Sequence, residues 1–509
     1  MAGVGMFGIG LAGLNSNRRA LDITSNNIAN VNTEGYSRQR ANFSLEGGLP
    51  QVEVRRSYDS FISNQVRSNT SSTGYLRSFS ELSGQVDNSL SDAQGGIMPG
   101  MQRFFNAIQT LSNDPASPTA RQSLLSEAET LSGNFNSLGQ RLDQLNSSLN
   151  GKLNTLTGKI NSLSSGIADI NQRIFQTQAS GLSESSNLLD QRDQMIQDLS
   201  ELTSVTTVVQ DDGAMNVFIG SGQAVVAGFD SFNLSTERNG FDPSRMEVMI
   251  DAAGGKVDIS DLMKGSGEIG GVLDFRSQVL DETRNTLGMM AMGVTAAFNE
   301  QNRAGIDLNG QAGGDFFKPI NQSSVTTLTH VNNRGSAIID ASISDPNQLT
   351  GSDYSLERTT EGYQLTRMSD QQVTKLDQFP TNPETVDGVE FSLDSGGMAE
   401  GDRILIQPTR NAATTMGVAI TNVNDIAAAA PLVSAAAFEN RGSGIAGDAI
   451  ISDSATFVAG NYTVQMATNS GAVADAGATR GTIVDNGNNS DLQYELKIND
   501  IPVYIQNET

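Results

Sequence analysis

The chain has 509 residues, 52 of them Gly, with a single His and neither Cys nor Trp; that is more than one core organises, suggesting about three or four domains. The missing Cys excludes disulfides, thiolate metal sites and Cys nucleophiles, and one His excludes sites needing two imidazoles. The net charge of -25 is uneven, with 15 basic against 17 acidic residues in 1–200 and 17 against 40 in 201–509, a balance that argues against nucleic-acid binding.

The start, MAGVGMFGIGLAGLNSNRR, is apolar, but it is broken by Gly and has its basic pair after the apolar run. It is a poor secretory signal, and no run nears the roughly 20 apolar residues that span a bilayer, so no membrane insertion is expected. Phe7, Leu11, Leu14, Arg18, Leu21, Ser25 and Ile28 step alternately by four and three, predicting a coiled-coil-type helix whose apolar seam needs a partner.

The helix runs into ITSNNIANVNTEGYSRQR, which concentrates Asn26, Asn27, Asn30 and Asn32 ahead of Gly35 and Tyr36. The stretch holds no nucleophile, general base or metal ligand. Asn and Gly close helices, and amides donate and accept without bringing charge. The four Asn are therefore expected to stop the helix and join neighbouring subunits, with Gly35 turning the chain and Tyr36 anchoring it. Residues 1–60 form this assembly segment.

A mainly helical middle domain is expected over 61–318. Tyr75, Phe79, Leu82, Val86 and Leu90 mark one helix, and Met101, Phe104, Phe105, Ile108 and Leu111 a shorter one. Ser117 can cap and Pro118 can open the next. The strongest periodicity follows, from Leu131 through Phe135, Leu138, Leu142, Leu145, Leu149, Leu153, Leu156, Ile160, Leu163, Ile167 and Ile170 to Ile174. One doubled step of four at Leu145, Leu149 and Leu153 is a stutter, and the rod is on the order of 65 Å long. Gly151, Gly158 and Gly166 on it suggest close neighbours or local softness. Leu188 to Leu202 is helical, a small β meander lies near 205–270, and helical spacing returns at Leu273, Leu280, Leu287 and Val294. Met289, Met290 and Met292 are expected to fill core space.

Beyond Phe316, short alternating runs predict an outer β domain over 319–430 and a second β-rich region over 431–509, with a short helix or linker around 420–440. The fold class is thus α+β multidomain: an N-terminal coiled-coil-type helix, a long-helix middle domain and inserted outer β domains. Chemical motifs are missing throughout. AGGKVD at 253–258 lacks the phosphate-loop spacing and is expected to be a turn. GIDLNGQAGGDFF offers Asp307, Asn309 and Asp315 without a calcium loop's ligand ladder, and His330 sits in an ordinary Thr-rich stretch. No catalytic, cofactor or metal site is expected.

SNNIANVNTEGYSRQ, NLLDQRDQMIQDLS, FNEQNRAGIDLNGQAGGDFF and GDRILIQPTRNAATTMGVAI with IAAAAP, in that order, resemble the flagellar hook-associated protein 1 family, the first hook-filament junction protein of bacteria. The ending GYSRQ separates it from rod and hook relatives, which more typically carry Gly-Phe-Lys. The resemblance implies a non-enzymatic, extracellular subunit exported by the flagellar type III route without signal cleavage. It would self-assemble into a ring between hook protein and a second hook-filament junction protein. Where the family motif has His this chain has Asn302, expected to change little. The family also closes with an apolar helix that pairs with the first and contacts an export chaperone; this chain ends in strand-like DIPVYIQNET, so that contact is expected to be lost and assembly to be poor. The alternatives are another axial protein of hook or distal rod, or an adhesin-like binding protein.

Overall fold

A computed structural model describes residues 5–46, 49–92, 95–179, 186–252, 254–320 and 325–429, and the backbone of three short strands within 481–505. Residues 1–429 form one compact unit and 430–509 a second.

The first unit opens with helix α1 (Met6–Ala29) and a hairpin of β1 (Gln39–Glu46) and β2 (Leu49–Arg56). Its body is helical: α2 (Ser60–Leu90), α3 (Ile97–Asn113), α4 (Pro118–Ala179) and α5 (Ser186–Leu202). Helix α2 starts where the Asp59 carboxylate accepts from the amides of Phe61 and Ile62, filling two orphan donors. Helix α4 starts at Pro118, with the amide of Ala120 donating to Ser117 Oγ.

Helix α4 is the axis. Its 62 residues span about 93 Å, longer than the apolar repeat alone implies because a first stretch with Ala120, Leu124, Leu125 and Ala128 buried precedes Leu131. Leu131, Phe135, Leu138, Leu142, Leu149, Leu153, Leu156, Ile160 and Ile167 all enter the main core. At the stutter the buried face moves off Leu145 onto Asn146, whose Nδ2 donates to Ser244 O. Gly166 meets a close neighbour, Met195, but a Cβ at Gly151 or Gly158 would touch nothing, so those two glycines mark no close approach.

Two small antiparallel sheets lie on α4: β3 (Val205–Val209), β4 (Met215–Ile219), β5 (Gln223–Ala227) and β6 (Asp230–Ser231), then β7 (Leu234–Arg238), β8 (Met246–Ala252) and β9 (Gly255–Asp258). AGGKVD is therefore more than a turn, since Gly255–Asp258 pairs with β8. Helices α6 (Gly267–Phe275) and α7 (Asp281–Arg303) are joined by a π-turn, Arg276–Leu280. Helix α6 crosses α2 closely because Gly271 has no side chain: a Cβ there would stand 2.6 Å from Tyr75 O. Met292 is buried and Met290 packs against the core.

The outer sheets comprise β10 (Thr326–Thr329), β11 (Ile338–Ile343), β12 (Tyr354–Thr359), β13 (Gly362–Arg367), β14 (Val373–Leu376), β15 (Glu384–Val386), β16 (Val389–Ser395) and β17 (Arg403–Gln407). They order as β10-β17-β12-β13-β14 and β11-β16-β15, antiparallel throughout, around a core of Tyr354, Leu356, Leu365, Phe391, Ile404 and Ile406. Arg410 pins them to the body through Asp281 on α7 and Asp353 before β12.

Residues 412–429, taken by the sequence reading with the β segment 319–430, return to the helical body. Helix α8 (Ala412–Thr415) and the chain after it place Ala413, Met416 and Ile426 in the main core. Arg121, fully buried, donates from Nη1 to the carbonyls of Val423 and Ile426 and from Nε to that of Pro115.

The second unit shows an antiparallel meander, β18 (Gly481–Asp485), β19 (Tyr494–Ile498) and β20 (Ile501–Ile505). Residues 430–440 of the alanine-rich stretch and the last four residues lie outside the described residues.

A candidate assembly surface

Helix α1 has two faces of opposite fate. Ile23 and Ser16 turn inward onto the hairpin, where Ser16 Oγ donates to Pro50 O at 2.9 Å and Val52 is buried. The seam residues Leu11, Leu14, Leu21 and Ile28 turn outward and are 63–71% exposed, and Phe7 is 96% exposed. No described residue covers them. An apolar stripe this long, left in water, is a candidate contact surface.

The Asn-rich stretch closes this helix. The amide of Asn30 and its Nδ2 both donate to Asn26 O, and Thr33 Oγ1 donates to Asn30 Oδ1. Gly35 has φ +75°, a left-handed conformation, and a Cβ there would sit 2.6 Å from Gln194 Oε1, so the turn needs Gly on both counts. Asn26 and Asn32 remain exposed beside Ile28.

Asn27 corrects the sequence reading. Its Nδ2 donates to Gln39 O at 2.8 Å, and its Oδ1 accepts from the Gln39 amide and the Tyr36 hydroxyl, each at 2.9 Å. Both ends of the carboxamide are thus engaged inside the chain. Asn27 locks the turn onto the hairpin, with its carboxamide engaged by its own chain. The Tyr36 hydroxyl donates to Asn27, and burial pushes its pKa up, with the charge of Asp190 adding to the effect.

Sequence reasoning missed the other half of this lock. Arg56 at the end of β2 pairs with Asp190 at 3.1 Å and with Asp193, both on α5, and Asp190 also accepts from the Ser37 amide at 3.2 Å. The two stretches SNNIANVNTEGYSRQ and NLLDQRDQMIQDLS therefore meet in space. The hairpin was missed as well, although Gly47-Gly48 between alternating runs is a hairpin signal.

Asn302, expected to matter little, is buried. Its Nδ2 donates to Gly314 O and its Oδ1 accepts from the Ala427 amide, tying the Gly-rich loop to the returning segment. Among the described residues no three His, Asp or Glu gather as a metal site, and no helix is long and apolar enough to cross a membrane.

Comparison with known proteins agrees with this arrangement. The pattern of the flagellar hook-associated protein FlgK helical domain matches residues 83–317, that of the flagellar hook-associated protein 1 D2-like domain residues 328–408, and that of flagella basal body rod proteins residues 8–36. Flagellar hook-associated protein 1 of Escherichia coli (strain K12) is 34% identical over 433 residues, covering 82% of this chain and 78% of that protein; its Salmonella typhimurium counterpart is 32% identical over the same shares. The flagellar hook junction protein FlgK from Burkholderia pseudomallei superposes with a TM-score of 0.65 at 32% identity, over 72% of this chain and 66% of that one. The chain spans just under two thirds of that solved structure. The chain belongs to the flagellar hook-associated protein 1 family.

Proposed function

We propose that this protein is a structural subunit of the junction between flagellar hook and filament, and that copies of it pack into a ring through α1. One observation carries the reading: the seam Phe7, Leu11, Leu14, Leu21 and Ile28 is exposed along the whole helix, while the same helix's other face is held by the hairpin. A helix with one satisfied face and one bare apolar face gains most by packing against other helices. Asn26 and Asn32, neutral and exposed at its end, supply hydrogen bonds at the rim of that contact. The similarity to proteins described as hook-associated and hook junction proteins supports the same role. On this reading the ring sits between hook protein and a second junction protein, is reached by flagellar type III export with an uncleaved N-terminus, and works without enzymatic activity.

Replacing Leu14→Asp and Leu21→Asp together tests this. Cells carrying only that variant should keep hooks, lose filaments and spill filament monomer into the medium, while the purified variant keeps its helical circular dichroism. Normal motile filaments would sink the proposal.

A further inference from the structure

The N-terminal arm, α1 with its hairpin, is one piece. The Asn27 clasp on Gln39, the Ser16 bond to Pro50, and buried Ile23 and Val52 hold helix and hairpin together. Its attachment to the body is of another kind. The buried apolar clusters of the described residues contain no residue before Leu82, so no shared core joins arm and body. Beyond chain continuity into α2, the attachment is polar and concentrated on one helix. Arg56 sits between Asp190 and Asp193 with 9% of its side chain exposed, the Ser37 amide donates to Asp190, and Gly35 lies against Gln194.

We infer that Arg56 with Asp190 and Asp193 is a latch that sets the direction of the terminal arm against the helical body, and that removing its charges frees the arm to swing as a rigid lever. An apolar contact slides at little cost, whereas a guanidinium that donates to Asp193 and lies in charge contact with Asp190 resists displacement from both. With solvent largely excluded, the pair is screened little by salt. Asp190 and Asp193 are three apart on α5 and so lie on one face, which lets a single Arg engage both. The inference rests on this geometry and not on the junction role.

The chain has no Cys, so two spin labels can be placed without other changes, by Asp22→Cys on α1 and Lys159→Cys on α4, both exposed. Pulsed dipolar spectroscopy should give a single narrow distance. In Asp190→Asn with Asp193→Asn that narrow distance should be lost to a broad distribution while helicity is kept. Arg56→Gln, which leaves α5 intact, should do the same, and Arg56→Lys should recover part of the narrowing. A narrow distance retained in a folded charge-removal variant, or a broad one already in the unaltered arm, overturns the latch. If neither variant folds, the pair is a folding determinant and the latch is likewise rejected.

Discussion

Asparagine does more in this protein than its sequence position suggests. A carboxamide presents a donor and an acceptor side by side, as the edge of a peptide does, so it can pair with one residue's own N–H and C=O as a neighbouring strand would. Among the described residues Asn27 does this with Gln39, Asn161 with Leu234, Asn171 with Met215, Asn299 with Phe317 and Asn333 with Arg403. Being neutral, the group avoids the cost of burying a charge. Asn302 links two different segments by the same means. Asn302→Ala should therefore lose about 1–3 kcal/mol, the cost of orphaning buried backbone groups, read as a lower urea midpoint at unchanged slope. Asp402 shows the charged version. Burial alone would push its carboxyl pKa up, but the amides of Arg334, Ala399 and Gly335 overcome this and hold it below the usual value. A depressed folded pKa gives stability that is present above the unfolded value and lost as pH falls through the folded one. In Asp402→Asn the loss of thermal stability on acidification through the ordinary aspartate range and below should be shallower than in the unaltered chain.

At the scale of elements, the helices were legible and their partners were not. The four-three periodicity in α4 located its buried face because packing helices impose that spacing wherever they touch. It could not say that α4 would carry sheets as well as helices, since those contacts run through Asn161 and Asn171, polar positions outside the repeat. The β1–β2 hairpin escaped although its strands, largely exposed, alternate apolar and polar residues. The role of Asn27 escaped because a carboxamide looks the same in sequence whether it binds its own chain or another. Leu153, fully buried at the stutter, and Gly158, on an open face of the same helix, should respond in opposite senses. Leu153→Ala should destabilise by about 2–5 kcal/mol, and Gly158→Ala should stabilise by up to about 1 kcal/mol. Thermal unfolding of the two variants checks both.

At the scale of the molecule, the β sheets of 326–407 sit within a helical body whose chain resumes at Ala412. Charge sums foretold the acidic second part of the chain, and periodicity the α+β class, because both depend on many residues at once. The return of 412–429 could not be read from local pattern: its anchors, Ala413, Met416 and Ile426, show no period, and what they complete lies up to three hundred positions earlier. That return gives the body an order in time. Arg121 Nε finds Pro115 O nearby, but the two carbonyls that Nη1 engages, those of Val423 and Ile426, are separated from it by 302 and 305 positions. A chain that emerges N-terminus first, from a ribosome or any narrow conduit, thus completes the acceptor set of Arg121 only once residue 426 is out.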